Sequence, residues 1–131
     1  MTLVVDASVA IRACDGEDGF ELLRDADLVA PPLLWSEFNS ALHEATWRGD
    51  IDAARSQRLR GQLKRSPLRS RTHRRLHDEA WSIADELGWA KTYDAEYVAL
   101  ARLLECRLVT LDARLRRGAD NLEFVVTPGE L

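Results

Sequence analysis

Asp6, Glu37, Asp94 and Asp112 are four carboxylates placed where apolar runs end or helices begin. Asp6 closes Leu3-Val4-Val5, and Asp112 closes Leu108-Val109-Thr110-Leu111. Asp94 opens the run from Ala95 to Ala101, while Glu37 lies inside the stretch from Leu33 to Phe38. Unit charges about 4 Å apart repel by roughly 4 kcal/mol at an effective dielectric of about 20. Four such groups brought together need protons or metal ions, so a metal-dependent site is the first expectation. The donors are hard oxygens with no Cys or His cluster beside them, which suits Mg2+ or Mn2+ better than zinc. Asp6, Asp94 and Asp112 also have a plainer explanation as helix N-terminal residues, each contributing about 1 kcal/mol. Glu37 does not, because it falls past the first helical turn between Trp35 and Phe38. A carboxylate there needs a partner or an aqueous cleft.

The elements that must position these acids alternate short β-branched runs with longer helical segments, the pattern of an α/β fold with a parallel sheet. Strands are expected at Thr2 to Asp6, Asp27 to Ala30, Leu68 to Thr72, Arg107 to Leu111 and Leu122 to Val126. Pro31-Pro32 sets up a helix from Leu33 to Arg48 that Gly49 ends, and Asp50 or Asp52 caps the next, which runs to about Lys64. Thr72 or His73 opens a third that continues to Gly88, and Tyr93 to Glu105 forms a fourth. In an open parallel sheet, ligands bind beyond the carboxyl ends of the strands, where strand order reverses. If the first and fourth strands are neighbours there, Asp6 and Asp112 share one crevice, and helix starts can aim Glu37 and Asp94 into it.

A chain of 131 residues, 46% hydrophobic and 31% charged, fits one soluble domain spanning residues 1–131. The start Met-Thr-Leu-Val-Val-Asp has no basic leader and meets an acid at residue 6, so neither a signal peptide nor a membrane span is expected and the cytoplasm is the expected location. Cys14 and Cys106 read as buried thiols rather than a disulfide. The net charge of −4 averages over an uneven distribution. From Arg55 to His77 there are nine Lys and Arg and no acid, leaving nine bases against 22 acids elsewhere, a balance of −13. Arg69, Arg71, Arg74 and Arg75 in this stretch are candidate contacts for a nucleic-acid backbone, because a guanidinium can hold a phosphate through two hydrogen bonds. A solvated helix face explains the stretch equally well.

Four blocks carry a family resemblance: Val-Val-Asp-Ala-Ser-Val at 4 to 9, Trp-Ser-Glu-Phe-Asn-Ser-Ala-Leu at 35 to 42, Thr-Tyr-Asp-Ala-Glu-Tyr-Val-Ala-Leu-Ala at 92 to 101, and Leu-Val-Thr-Leu-Asp-Ala-Arg-Leu at 108 to 115. In that order the chain resembles PIN-domain ribonucleases, most closely the VapC-type toxins of bacterial toxin–antitoxin pairs. The resemblance implies a three-layer α/β/α fold with a parallel central sheet and Mg2+- or Mn2+-dependent endonucleolytic cleavage of RNA. It implies Asp6, Glu37, Asp94 and Asp112 as the catalytic, metal-binding acids, with Ser8 and Thr110 as supporting hydroxyls. Asp6 and Asp94 are the expected strong ligands, with Glu37 and Asp112 holding the ion's waters or orienting the nucleophile. A VapB-type antitoxin and a homodimer are the implied protein partners. One departure stands out: many relatives carry another acid two to four residues past the last motif aspartate, where this chain has Arg114, Arg116 and Arg117 and no acid before Asp120.

Other features weigh less. His73 and His77 stand four residues apart but lack a third ligand and adjoin Arg74 and Arg75, which favours a structural or RNA-contacting role. Of Trp35, Trp47, Trp81 and Trp89, three lie in apolar helical patterns suited to a core or a dimer interface, and Trp89 beside Gly88 is the one expected to be exposed. A phosphohydrolase of the haloacid-dehalogenase type needs a second aspartate at the position of Ser8. A receiver domain needs a late strand-end lysine, which neither Lys64 nor Lys91 supplies. The alternative that remains is a non-catalytic PIN-like module binding RNA or a protein.

Overall fold

Five short parallel strands form one sheet in the computed structural model, which describes residues 1–131, and their order is β3-β2-β1-β4-β5. The strands are β1 (Thr2–Val5), β2 (Asp27–Ala30), β3 (Arg69–Ser70), β4 (Arg107–Val109) and β5 (Val125–Val126). Leu3, Val4 and Val5 are all buried, as a central parallel strand covered on both faces requires. Val4 pairs with Val29 of β2 on one side and Leu108 of β4 on the other. The chain steps from β1 outward through β2 to β3, then returns past its start to β4 and β5. Strand order therefore reverses between β1 and β4, the condition that lets Asp6 and Asp112 share a crevice.

Six helices flank the sheet: α1 (Ala7–Asp15), α2 (Leu33–Arg48), α3 (Ala53–Arg65), α4 (Leu76–Leu87), α5 (Tyr93–Leu103) and α6 (Ala113–Gly118). Parallel crossovers are right-handed, so reversing the direction of travel puts α1 to α3 on one face and α4 to α6 on the other. The helix packing agrees: α1, α2 and α3 contact one another, while α4 packs on α5, which lies against β1 and β4. The result is the three-layer α/β/α arrangement. No helix is long and apolar enough to cross a membrane.

Caps set the helix limits. Asp52 accepts the Arg55 N–H at 2.8 Å to start α3, and Gly49 and Gly88 end α2 and α4 in the left-handed region at φ 82° and 71°. Arg102 on α5 bonds both Glu79 and Glu86 of α4, fastening that pair of helices. Several expectations shift. Helices α1 and α6 fall outside the four expected helical segments, although Asp6 and Asp112 cap them as helix N-terminal residues. Helix α4 starts at Leu76 rather than Thr72 or His73, because the His73 ring nitrogen Nδ1 accepts the Arg75 N–H at 3.0 Å and holds a turn there. Strand β2 keeps its expected bounds, while the other strands are shorter, β3 and β5 most of all at two residues each. Cys14 is a buried free thiol pushed up to about 11 by burial, whereas Cys106, also free, is only partly buried.

A Cβ at Gly88 would meet nothing within 4 Å, so only backbone conformation resists a side chain there. Gly88→Ala is expected to cost about 1 kcal/mol through the left-handed φ, measured by urea denaturation, with the m-value unchanged.

Candidate active site

Asp6 is 4% exposed at the carboxyl end of β1, and burial pushes its carboxyl above the usual range. Three donors hold it. Oδ1 accepts from Ser8 Oγ at 2.6 Å and from the Val9 N–H at 3.1 Å, and Oδ2 accepts from Thr110 Oγ1 at 2.5 Å. The same two hydroxyls accept backbone N–H groups from the end of β4, Leu111 to Ser8 Oγ at 3.0 Å and Asp112 to Thr110 Oγ1 at 2.9 Å. A carboxylate offers about four lone-pair directions, so Asp6 keeps one on Oδ2 for another ligand. Asp112 caps α6 by accepting the Arg114 and Leu115 N–H groups on Oδ1, which leaves Oδ2 open.

Glu37 sits past the first turn of α2 and accepts the Tyr97 hydroxyl on Oε1. Asp94 lies in the first turn of α5, with Arg114 Nη2 3.6 Å from its Oδ2. Both line a cleft of about 560 Å3 with Trp89, Lys91, Tyr93 and Arg114, while Asp6 and Asp112 lie outside that lining. The four acids nevertheless act on one another. Burial raises Glu37, and the charges of Asp94, Asp6 and Glu96 raise it further. Asp94 is raised by burial and by Asp112 and lowered by Arg114, and Asp112 also raises Asp6. No three Asp, Glu, His or Cys side chains are close enough in this conformation to hold an ion by themselves. The donor set still fits a hard divalent cation: carboxylate oxygens with spare lone pairs, coupled by repulsion that such an ion would relieve.

The remaining candidates divide. Arg69 is committed to Asp27 at 2.6 Å, Arg75 lies 3.7 Å from Glu79, and Arg55 and Arg58 both reach Asp15. Arg71 and Arg74 are exposed and form no ion pair. His77 lies 3.8 Å from Glu96, which in turn raises Glu37, so the basic stretch ends beside the acidic cluster. His73 precedes α4 and shares no helix face with His77. Trp35 packs partly buried against the core as expected, and for Trp89 the expectation reverses. Trp89 packs against Gly118, while Trp47 and Trp81 are 82% and 68% exposed. Trp47 borders a separate groove between α2 and α3 that contains none of the four acids. Tyr97 and Lys91 were not singled out from sequence. Tyr97 reads there as a core position, although it stands three residues after Asp94 and so on the same helix face.

Residues 3–121 match the PIN domain family, and the chain belongs to it. Within the family its likeness runs to VapC ribonucleases. Ribonuclease VapC9 of Mycobacterium tuberculosis is 36% identical over 115 residues, 86% of this chain and 87% of the relative. A VapC ribonuclease of Mycobacterium bovis matches to the same degree. The crystal structure of PAE2754 from Pyrobaculum aerophilum is similar with a TM-score of 0.76 and 26% identity, over 99% of this chain and 95% of that one.

A carboxyl raised by folding binds its proton more tightly in the native state. Its contribution to stability is present below the unfolded carboxylate range and is lost as pH rises through the raised native value. Glu37→Gln keeps an acceptor for Tyr97 and removes the charge. It is expected to raise the Tm at neutral pH without divalent ions, with the gain shrinking as pH falls through the carboxylate range.

Proposed function

We propose that this chain is a divalent-metal-dependent endoribonuclease, the toxin of a type II toxin–antitoxin pair, acting in the cytoplasm. The observation that carries this reading is the mutual coupling of Asp6, Glu37, Asp94 and Asp112 at the β1/β4 reversal. The identity with VapC-named ribonucleases supports the substrate class. Mg2+ or Mn2+ held there would polarise a phosphodiester and acidify an attacking water. The chain's own part is to place the charges. Asp6 is clamped by Ser8, Thr110 and the Val9 N–H, so its open Oδ2 direction is set before any ligand arrives. Glu37, whose Oε1 accepts the Tyr97 hydroxyl, keeps its second oxygen free of protein partners, and burial with the neighbouring acids raises its carboxyl. Asp94 can exchange Arg114 for a stronger cation. Asp112 presents Oδ2 while its Oδ1 caps α6.

A homodimer and a VapB-type antitoxin belong to the same reading. Exposed Trp47 on α2 and Trp81 on α4 are apolar surface that protein partners would cover. The Arg114 contact with Asp94 is a guide to how an antitoxin arginine would enter the acids, offsetting their repulsion and excluding the ion.

Asp94→Asn preserves shape and removes one ligand charge. It is expected to abolish Mg2+-dependent cleavage of total cellular RNA while circular dichroism stays native. Undiminished cleavage by the folded variant would remove Asp94 from the site, and RNA binding without any turnover by the unsubstituted protein would leave a binding module. Arg71→Ala with Arg74→Ala takes away two unpaired cations. If these meet the RNA backbone, the salt slope of single-strand binding flattens by roughly 0.7 for each phosphate no longer neutralised.

A further inference from the structure

The cleft that Glu37 and Asp94 line carries a second set of groups of a different chemistry. Lys91 is exposed and forms no ion pair. The Arg114 side chain is 80% exposed and meets Asp94 only at 3.6 Å, a contact it can leave at small cost because the pair is solvated. Tyr93 is 55% exposed and lines the cleft with Lys91 and Asp94. Trp89 holds these together: a Cβ on Gly118 would lie 3.1 Å from the Trp89 Nε1, so the absence of a side chain there lets the indole lie against the end of α6. The loop that bears Lys91 and leads into Tyr93 at the start of α5 is thereby packed against the helix that bears Arg114.

Two anions, two cations and an open aromatic ring in one cleft are what a strand of nucleic acid needs beside a cation-binding centre. The carboxylates alone repel a phosphodiester. Lys91 supplies a point charge, Arg114 a planar fork that pairs with two phosphate oxygens, and Tyr93 a face on which an unpaired base can stack. We propose that Lys91, Tyr93 and Arg114 form a single-stranded RNA subsite flanking the carboxylates, the two cations on phosphates and Tyr93 under a neighbouring base. The subsite rests on the ribonuclease reading above and selects the substrate's form. A base paired within a helix has no free face for Tyr93, so an unpaired segment is required.

Binding of a short fluorescein-labelled single-stranded RNA of mixed sequence, followed by anisotropy across a salt series, tests the subsite. EDTA is kept present so that binding is read without cleavage. Lys91→Ala with Arg114→Ala is expected to flatten the salt slope by roughly 1.4. Tyr93→Ala is expected to weaken binding roughly tenfold with the slope unchanged, and Tyr93→Phe to bind as wild type. Wild-type affinity and slope in folded Lys91, Arg114 and Tyr93 variants would overturn the subsite, and so would a loss confined to Arg71→Ala with Arg74→Ala. Wild-type protein that neither binds nor cuts RNA would overturn the ribonuclease reading, and the subsite with it.

Discussion

Everything at the β1/β4 reversal depends on keeping one carboxylate out of water. Asp6 and Thr110 are the only polar or charged residues in the buried set, and they are hydrogen-bonded to each other across 104 positions of sequence. A buried charge without partners costs several kcal/mol, and Asp6 meets that cost with three donors. Ser8 and Thr110 each give a hydroxyl proton to Asp6 and take a backbone N–H from the end of β4. The start of α1 is therefore tied to the end of β4 and the start of α6. No buried side-chain nitrogen or oxygen in the chain lacks a partner, so the junction is closed as hydrogen bonding.

As charge, the junction is open. Asp6, Glu37 and Asp94 are all held above their ordinary range, with burial the largest cause in each case. Arg114 is the one cation at ion-pair distance from any of the four acids, and it is mostly in solvent. Caps alone do not explain this arrangement. Capping suffices for Asp112 and for one oxygen of Asp6, but Glu37 caps nothing, and its neighbours in charge are other acids. Native structure retains a local repulsion that serves stability poorly.

The acids were readable in the sequence because each interrupts an apolar pattern, and the adjacency of β1 and β4, whose ends lead to Asp6 and Asp112, followed from the order of alternating strands and helices. What escaped did so for physical reasons. Helices α1 and α6 follow their strands with a single aspartate or a short strand-end segment between, so no glycine or proline separates the two periodicities. Tyr97 has an apolar ring that belongs in the core and a hydroxyl that belongs to Glu37, and sequence pattern registers only the first. Trp89 looked exposed beside Gly88, yet its partner surface is created by a missing side chain at Gly118, a contact that no local pattern announces. Nine bases without an acid left a nucleic-acid contact and a solvated helix face equally open. Asp15, Asp27 and Glu79 arrive from elsewhere in the chain and neutralise part of that stretch.

The central claim is that the four carboxylates share one divalent cation. An ion that binds only the native state stabilises it by mass action, in proportion to RT ln(1 + [L]/Kd). The direct measurement is the Tm of the wild type and of Asp6→Asn as Mn2+ is titrated. A Tm that climbs with Mn2+ in the wild type and stays level in the folded variant is the predicted result. A wild-type Tm indifferent to Mn2+, or an equal climb in both proteins, would contradict a shared site.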